Sequence, residues 1–193
     1  VLAIAASDAP DIVLDQAFRR LGEMPREQVV DKLYELFKTD KWKVRRAAGG
    51  TVLKMSTVKN IDEFMAHLPE GAAKGFAIGE PFAFGAGIGD LKEGKPADAL
   101  RRYFSAGSPA QRTTALAYWY QFGTTADLSA VQPFESDSTK TPVCETDPDC
   151  KWSCEVEKEG GKERESKDIK TIGDFVKYCV EPAMKERQPE VKK

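Results

Sequence analysis

The chain has 193 residues, 41% of them hydrophobic, so it can bury a core without staples to hold it together. Its 29 basic and 31 acidic residues are spread evenly, with no basic stripe interleaved with aromatics, which argues against a nucleic-acid partner. No uninterrupted apolar run is long enough for a membrane span, since the most apolar region, 71 to 89, is broken by Lys74, Glu80 and Pro81.

The first residues, Val1 to Pro10, read as the tail of an apolar segment followed by small residues, with Ala3-Ile4-Ala5 in the pattern a signal peptidase prefers. Export is the expectation, and a lipid anchor further upstream would fit it. The alternative is that Val1 to Ala6 forms a short N-terminal turn packed on the first helical unit. From Asp8 onward the chain reads as helical hairpins. A phrase around Asp40, Val44, Arg45 and Ala48 returns around Ser108, Arg112 and Ala115, the two arginines standing 67 residues apart, which is about two steps of 33 to 34. Sliding the chain back by 32 residues brings Asp8 under Asp40, Ile12 under Val44 and Leu21 under Leu53.

The second helix of each pair follows by periodicity: Val29, Val30, Leu33, Leu36 and Phe37 after Pro25, then Val58, Ile61, Phe64, Met65 and Leu68 after Ser56-Thr57. One more pair is expected over 70 to 107. Its first helix would run through Gly75, Gly79, Gly85, Gly87 and Gly89, each costing up to about 1 kcal/mol in a helix interior, so a broken or loosely wound segment is expected there. Its second is expected at Pro96 to Ala106, with Leu100, Tyr103 and Phe104 on one face. A last pair carries Leu116, Trp119, Tyr120 and Phe122 before Gly123, then Leu128, Val131 and Phe134.

On Asp40, Val44, Arg45, Ala48 and Leu53 in one unit, and Pro109, Arg112, Ala115 and Leu116 in another, the chain resembles the HEAT-repeat family, in particular its short-unit, phycocyanobilin-lyase-like branch, over roughly residues 8 to 134. The resemblance implies an all-α, right-handed α-solenoid of about four helical hairpins, in which alanines let helices touch while the Asp and Arg tie neighbouring units. Gln111 departs from the family's usual valine, and Val13 stands where the first unit should have its arginine. A tetratricopeptide array is the rival by period, but its aromatic and glycine pattern is not met.

Residues 135 to 193 change character and are read as a second region, a cysteine-containing loop and capping helix packed on the 1 to 134 stack. Ser, Thr, Pro and charges dominate to 167, with a short hairpin expected to turn at Gly160-Gly161. Ser166 then reads as the cap of a final helix carrying Ile169, Ile172, Phe175, Val176, Cys179 and Val180, ending near Pro182 and closing the stack. All four cysteines, Cys144, Cys150, Cys154 and Cys179, lie here. Their even count favours two disulfides in an oxidising compartment, with three pairings open and one bridge expected to fasten the loop to the last helix. A four-cysteine zinc site is the alternative, though no Cys-x-x-Cys knuckle occurs. The acidic turn Glu145, Asp147, Asp149 lacks the glycine of a calcium loop and reads as solvated.

Little points to catalysis. The single histidine, His67, sits late in a helix and reads as structural. Gly85, Gly87 and Gly89 lack the strand and spacing of a phosphate-binding turn. Phe76, Phe82 and Phe84, extended by Trp119 and Tyr120, are the candidate partner-binding surface, against the plainer reading that they are core. No metal or cofactor is expected. The sequence therefore points to a non-enzymatic protein-binding scaffold or structural subunit of an exported cell-envelope assembly, periplasmic or extracellular, with another protein as partner. A ligand- or metal-binding carrier, or a lyase-like HEAT enzyme, is the alternative.

Overall fold

The structure, a computed structural model, describes residues 1–68, 77, 79–143, 151–157 and 163–188. In chain order its helices are α1 (Leu2–Ala5), α2 (Asp11–Gly22), α3 (Arg26–Glu35), α4 (Trp42–Lys54), α5 (Ile61–Ala66), α6 (Gly79–Gly89), α7 (Pro96–Leu100), α8 (Tyr103–Ala106), α9 (Pro109–Phe122) and α10 (Leu128–Val131). An antiparallel pair follows, β1 (Ser153–Glu157) with β2 (Arg164–Asp168), and then α11 (Ile172–Phe175), a π-helical stretch at Val176–Val180, and α12 (Glu181–Lys185). The chain is thus mostly helical but not wholly so: the strands flank the expected Gly160-Gly161 turn, which itself lies outside the described residues.

The four longest helices pack in sequence, α2 on α4, α4 on α6, α6 on α9, and α9 meets the C-terminal helices. The shorter α3, α5, α7 and α8 come between them, and α10 follows α9. The sequence period survives in the backbone: Trp42 and Pro109 open α4 and α9, Val58 and Thr125 open the 3-10 turns that follow, and Ile61 and Leu128 open α5 and α10, each pair 67 residues apart. Both 3-10 turns begin with the same reciprocal cap, Thr57 with Asn60 and Thr124 with Asp127, which satisfies backbone N–H groups that the helix start leaves unpaired.

The core follows the expected stripes. Leu21, Leu33, Phe37, Ile61, Phe64, Met65, Leu100, Leu116 and Trp119 are buried, each contributing about 1.5–3 kcal/mol by leaving water. Ile12 does not follow: it is 72% exposed, and Leu14, Ala17, Phe18 and Leu21 form the buried stripe of α2 instead. The glycine-rich segment also differs from expectation, because α6 is an unbroken helix over Gly79–Gly89. Its neighbours explain this. A side chain at Gly85 would sit 2.7 Å from the backbone nitrogen of Tyr118, and one at Gly49 of α4 would sit 2.3 Å from the Phe84 ring. The missing side chains let α4 and α9 close on α6 from both sides, and the resulting contact outweighs the poor helix propensity. Gly75 lies outside the described residues.

The C-terminal region departs from its reading in two places. Ser166 lies in β2, and the last helix is capped by Thr171, whose hydroxyl accepts from the Asp174 N–H at 3.1 Å while Asp174 accepts in return from the Thr171 N–H. Nor does that helix stop at Pro182, which sits inside α12. A helix-interior proline removes one N–H and crowds the preceding turn, and the wider π-helical turn at Val176–Val180 accommodates it.

Candidate functional site: open and filled troughs between the long helices

Charged side chains hold the units in register. Arg45 is buried in α4 and reaches forward to Glu80 of α6 with two parallel hydrogen bonds, Nε to Oε1 at 2.9 Å and Nη2 to Oε2 at 2.8 Å. Its Nη1 donates to the Thr39 carbonyl at 2.9 Å, and Glu80 Oε2 also accepts from the Ala77 N–H at 2.8 Å. A buried pair satisfied this fully is the geometry in which attraction offsets desolvation. Arg112, its counterpart in α9, likewise reaches forward, pairing with Asp137 and donating to the Thr139 hydroxyl at 3.2 Å. Asp40, expected to share in the tie, is exposed, and Glu80 takes its place. Gln111 makes a separate link between units, its amide donating to the Met65 carbonyl at 3.0 Å near the end of α5 while its Oε1 accepts from the Ser108 N–H at 2.8 Å. Val44, Ala48 and Ala115 are buried.

Ion pairs also link successive units at the surface: Asp11 with Lys43 at 2.7 Å, Arg26 with Glu63 at 2.5 Å, Asp62 with Arg102, and Arg101 with Asp127 at 3.5 Å. Exposed pairs of this kind contribute about 0–1 kcal/mol each, so they set register more than stability. His67 ends α5 with Nδ1 2.8 Å from the Glu63 carbonyl and its ring stacked on buried Tyr34 at 3.8 Å between centroids. Burial pushes the Tyr34 hydroxyl pKa well up.

Between the long helices run shallow troughs. The one between α2 and α4 is lined by Asp15, Arg19, Gly50 and Lys54, with Trp42 and Arg46 towards the other end of α4. The next, between α4 and α6, measures about 550 Å³ over a floor of Gly50, Ala83, Ala86 and Gly87. Trp42 is 40% exposed at the first trough, and a side chain at Gly50 would meet no atom within 4 Å.

Shifting the lining of the α2/α4 trough by 67 residues brings Phe82 to the place of Asp15, Ala86 to that of Arg19, Ala117 to that of Gly50 and Gln121 to that of Lys54. That counterpart, between α6 and α9, is filled. Phe82 meets Tyr120 edge-on at 5.2 Å, and the Trp152 ring, from the segment before β1, is buried against Phe82 at 6.1 Å and Phe175 at 4.7 Å. Two residues further on, Cys154 is bridged to Cys179 of the last helix, fastening this segment as expected. Cys144 and Cys150 lie outside the described residues.

The expected aromatic surface is therefore corrected. Phe84 is fully buried between Phe37 and Phe64, Trp119 is buried against Phe104, Phe82 is half-buried against Trp152 and Phe175, and Tyr120 is half-buried against Phe82 and Phe175. Phe76 lies outside the described residues. Sequence reasoning missed Trp152, whose only signal was an aromatic two residues from a cysteine, and missed Glu80 and Asp137 as the carboxylates of the ties. Among the described residues no three potential metal ligands converge, and no helix is long and apolar enough to cross a membrane. No protein-family model matches the chain, and neither a curated protein nor a solved structure is significantly similar to it.

Proposed function

We propose that the chain is a non-enzymatic protein-binding scaffold, a HEAT-like right-handed solenoid of about four units whose open α2/α4 and α4/α6 troughs receive a partner protein. The observation that carries this reading is the filled α6/α9 trough: the same architecture, 67 residues on, already seats aromatic rings at Phe82, Trp152 from the chain before β1 and Phe175 of the last helix. A groove with a small-residue floor and a tryptophan near its rim offers the buried aromatic anchor and polar surround of protein interfaces. The Cys154–Cys179 bridge supports a place outside the reducing cytosol, in the periplasm or at the cell surface, as part of an envelope assembly.

Gly50 supplies the test. Gly50 lines both open troughs, and a Cβ there meets no atom within 4 Å, so Gly50→Phe sets a ring into them from an unobstructed root. Affinity capture with cross-linking should recover a partner bridged to Lys43 or Lys54 with the native chain and lose it with Gly50→Phe at unchanged thermal stability. Equal recovery from both would remove these troughs as the contact surface.

A further inference from the structure

The segment in the α6/α9 trough is bound lightly for a buried one. Along residues 151–157 burial alternates: Trp152 is buried and Cys154 and Val156 are half-buried, while Lys151, Ser153, Glu155 and Glu157 face solvent. The main-chain bonds of this strand go to β2, residue for residue from Ser153 with Asp168 to Glu157 with Arg164, and the Trp152 carbonyl accepts from the Ile169 N–H at 2.8 Å. Beyond its pairing with β2 and its packing along Val176–Val180, one ring and one bridge fix the strand's position against the helices. The two act on the same spot, because Trp152 packs on Phe175 while Cys154 joins Cys179 one turn further along that helix.

We propose that the end of the α6/α9 trough at Phe82 is a docking site for a tryptophan-anchored segment, that Trp152 occupies it as a tethered pseudo-ligand, and that reduction of Cys154–Cys179 by a dithiol opens it. This rests on the reading of the troughs as peptide-docking surfaces and adds their regulation. Cys179 is buried and Cys154 only partly so, which makes the Cys154 sulfur the one an incoming thiolate attacks. That attack forms a mixed disulfide and expels Cys179 as a thiolate, which takes up a proton. The second thiol of the reductant then attacks its own sulfur in the mixed disulfide, releasing Cys154 and leaving the reductant oxidised to a cyclic disulfide. Two electrons and two protons reach the protein. Without the bridge, the hairpin stays over Phe82 and Phe175 only through the Trp152 contact and through β2, and an isolated two-stranded hairpin is at best marginally stable.

The test needs no natural partner. The probe is a synthetic peptide of residues 151–157 with serine in place of the cysteine, read by fluorescence polarisation, alongside amide hydrogen exchange of the full chain. On reduction, and in Cys154→Ser combined with Cys179→Ser, exchange of β1 should rise about tenfold or more while α6 and α9 keep their protection. The peptide should bind the oxidised Trp152→Ala chain, whose ring seat is vacated with the bridge intact, and the reduced native chain, but not the oxidised native chain. Unchanged β1 exchange on reduction, or loss of protection in α6 and α9 together with β1, would show the bridge to be purely structural and overturn the gate. Failure of the peptide to bind Trp152→Ala would overturn the docking site. Both results leave the Gly50→Phe outcome at the α2/α4 trough untouched, so the two readings fail separately.

Discussion

Gly50 and Gly85 occupy helix interiors and answer to opposite constraints. At Gly50 an added methyl meets nothing within 4 Å, so Gly50→Ala should stabilise the fold by about 0.5–1 kcal/mol through helix propensity alone. At Gly85 the methyl would press on the backbone of Ala117 and Tyr118, and Gly85→Ala should cost about 1–3 kcal/mol as α6 and α9 are forced apart. Urea unfolding of the two variants beside the native chain checks both signs. A similar contrast holds for the buried clasp. Arg45→Met or Glu80→Gln alone should cost about 3–5 kcal/mol by stranding its partner, and the double variant should lose less than the sum. The repeated phrase made Arg45 and Arg112 legible in the sequence, but not their acceptors. Glu80 lies 35 residues after Arg45 and Asp137 lies 25 after Arg112, so no common spacing announces them.

One carboxylate pair gives a pH-dependent effect. A hydrogen bond to Glu181, with burial and repulsion adding to it, raises the Glu135 pKa above its ordinary value. With both ionised, Oε1 of buried Glu181 has no donor, although Oε2 accepts from Lys185 at 2.7 Å. A carboxyl whose folded pKa is raised detracts from stability above that pKa, and the deficit disappears as pH falls through it towards the unfolded value. Glu135→Gln, which keeps a donor at every pH, should therefore raise the melting temperature at pH 7 and lose that advantage at pH 4. A pH series of thermal melts decides it, and an equal shift at both values would show the pair not to be coupled.

At the scale of elements, stripes and caps carried most of what could be read in advance, and tertiary contact decided the rest. The helices after Pro25 and after the Ser56-Thr57 pair lie where their apolar spacing puts them. The glycine-rich α6 was unreadable as an intact helix, because propensity counts the missing side chains as a loss while α4 and α9 use the space they leave. The cap of the final helix was misplaced for a related reason: Ser166 and Thr171 are both chemically fit for the role, and pairing of β2 with β1 removes the first from contention. The troughs were invisible because they depend on which faces of consecutive helices remain uncovered. Fastening of β1 has a measurable share in stability. Opening the 25-residue loop closed by Cys154–Cys179 should lower the unfolding free energy by roughly 3 kcal/mol, read as the difference between native chain and the paired serine variant in guanidinium titrations.

Taken whole, the molecule treats its two ends differently. The C-terminal end is covered by the hairpin, the Trp152 ring and the last helix, and is tied down through Arg112. At the other, α1 offers one short turn, and Ile4, Ile12 and Val13 remain exposed on or beside α2. A chain ending at Phe134 would uncover Phe82, Tyr120 and the outer side of α9, and should bind a hydrophobic dye and self-associate, whereas the full chain does neither to the same extent. Light scattering of the two lengths checks it, and a monodisperse truncated monomer would show that the extension is not needed as a cover.

The equal spacing of the α4 and α9 segments carries a consequence for growth. Since Trp42 and Pro109 begin helices that meet their neighbours in the same phase, a tandem copy of residues 41 to 107 spliced in after Gly107 would keep the α6/α9 seam at its far end and create one new seam, where α6 meets the copied α4 with Gly50 in the place of Ala117. Such a lengthened chain would gain two uncovered troughs per insertion, because the Trp152 ring and the last helix that close the α6/α9 trough would still be present once.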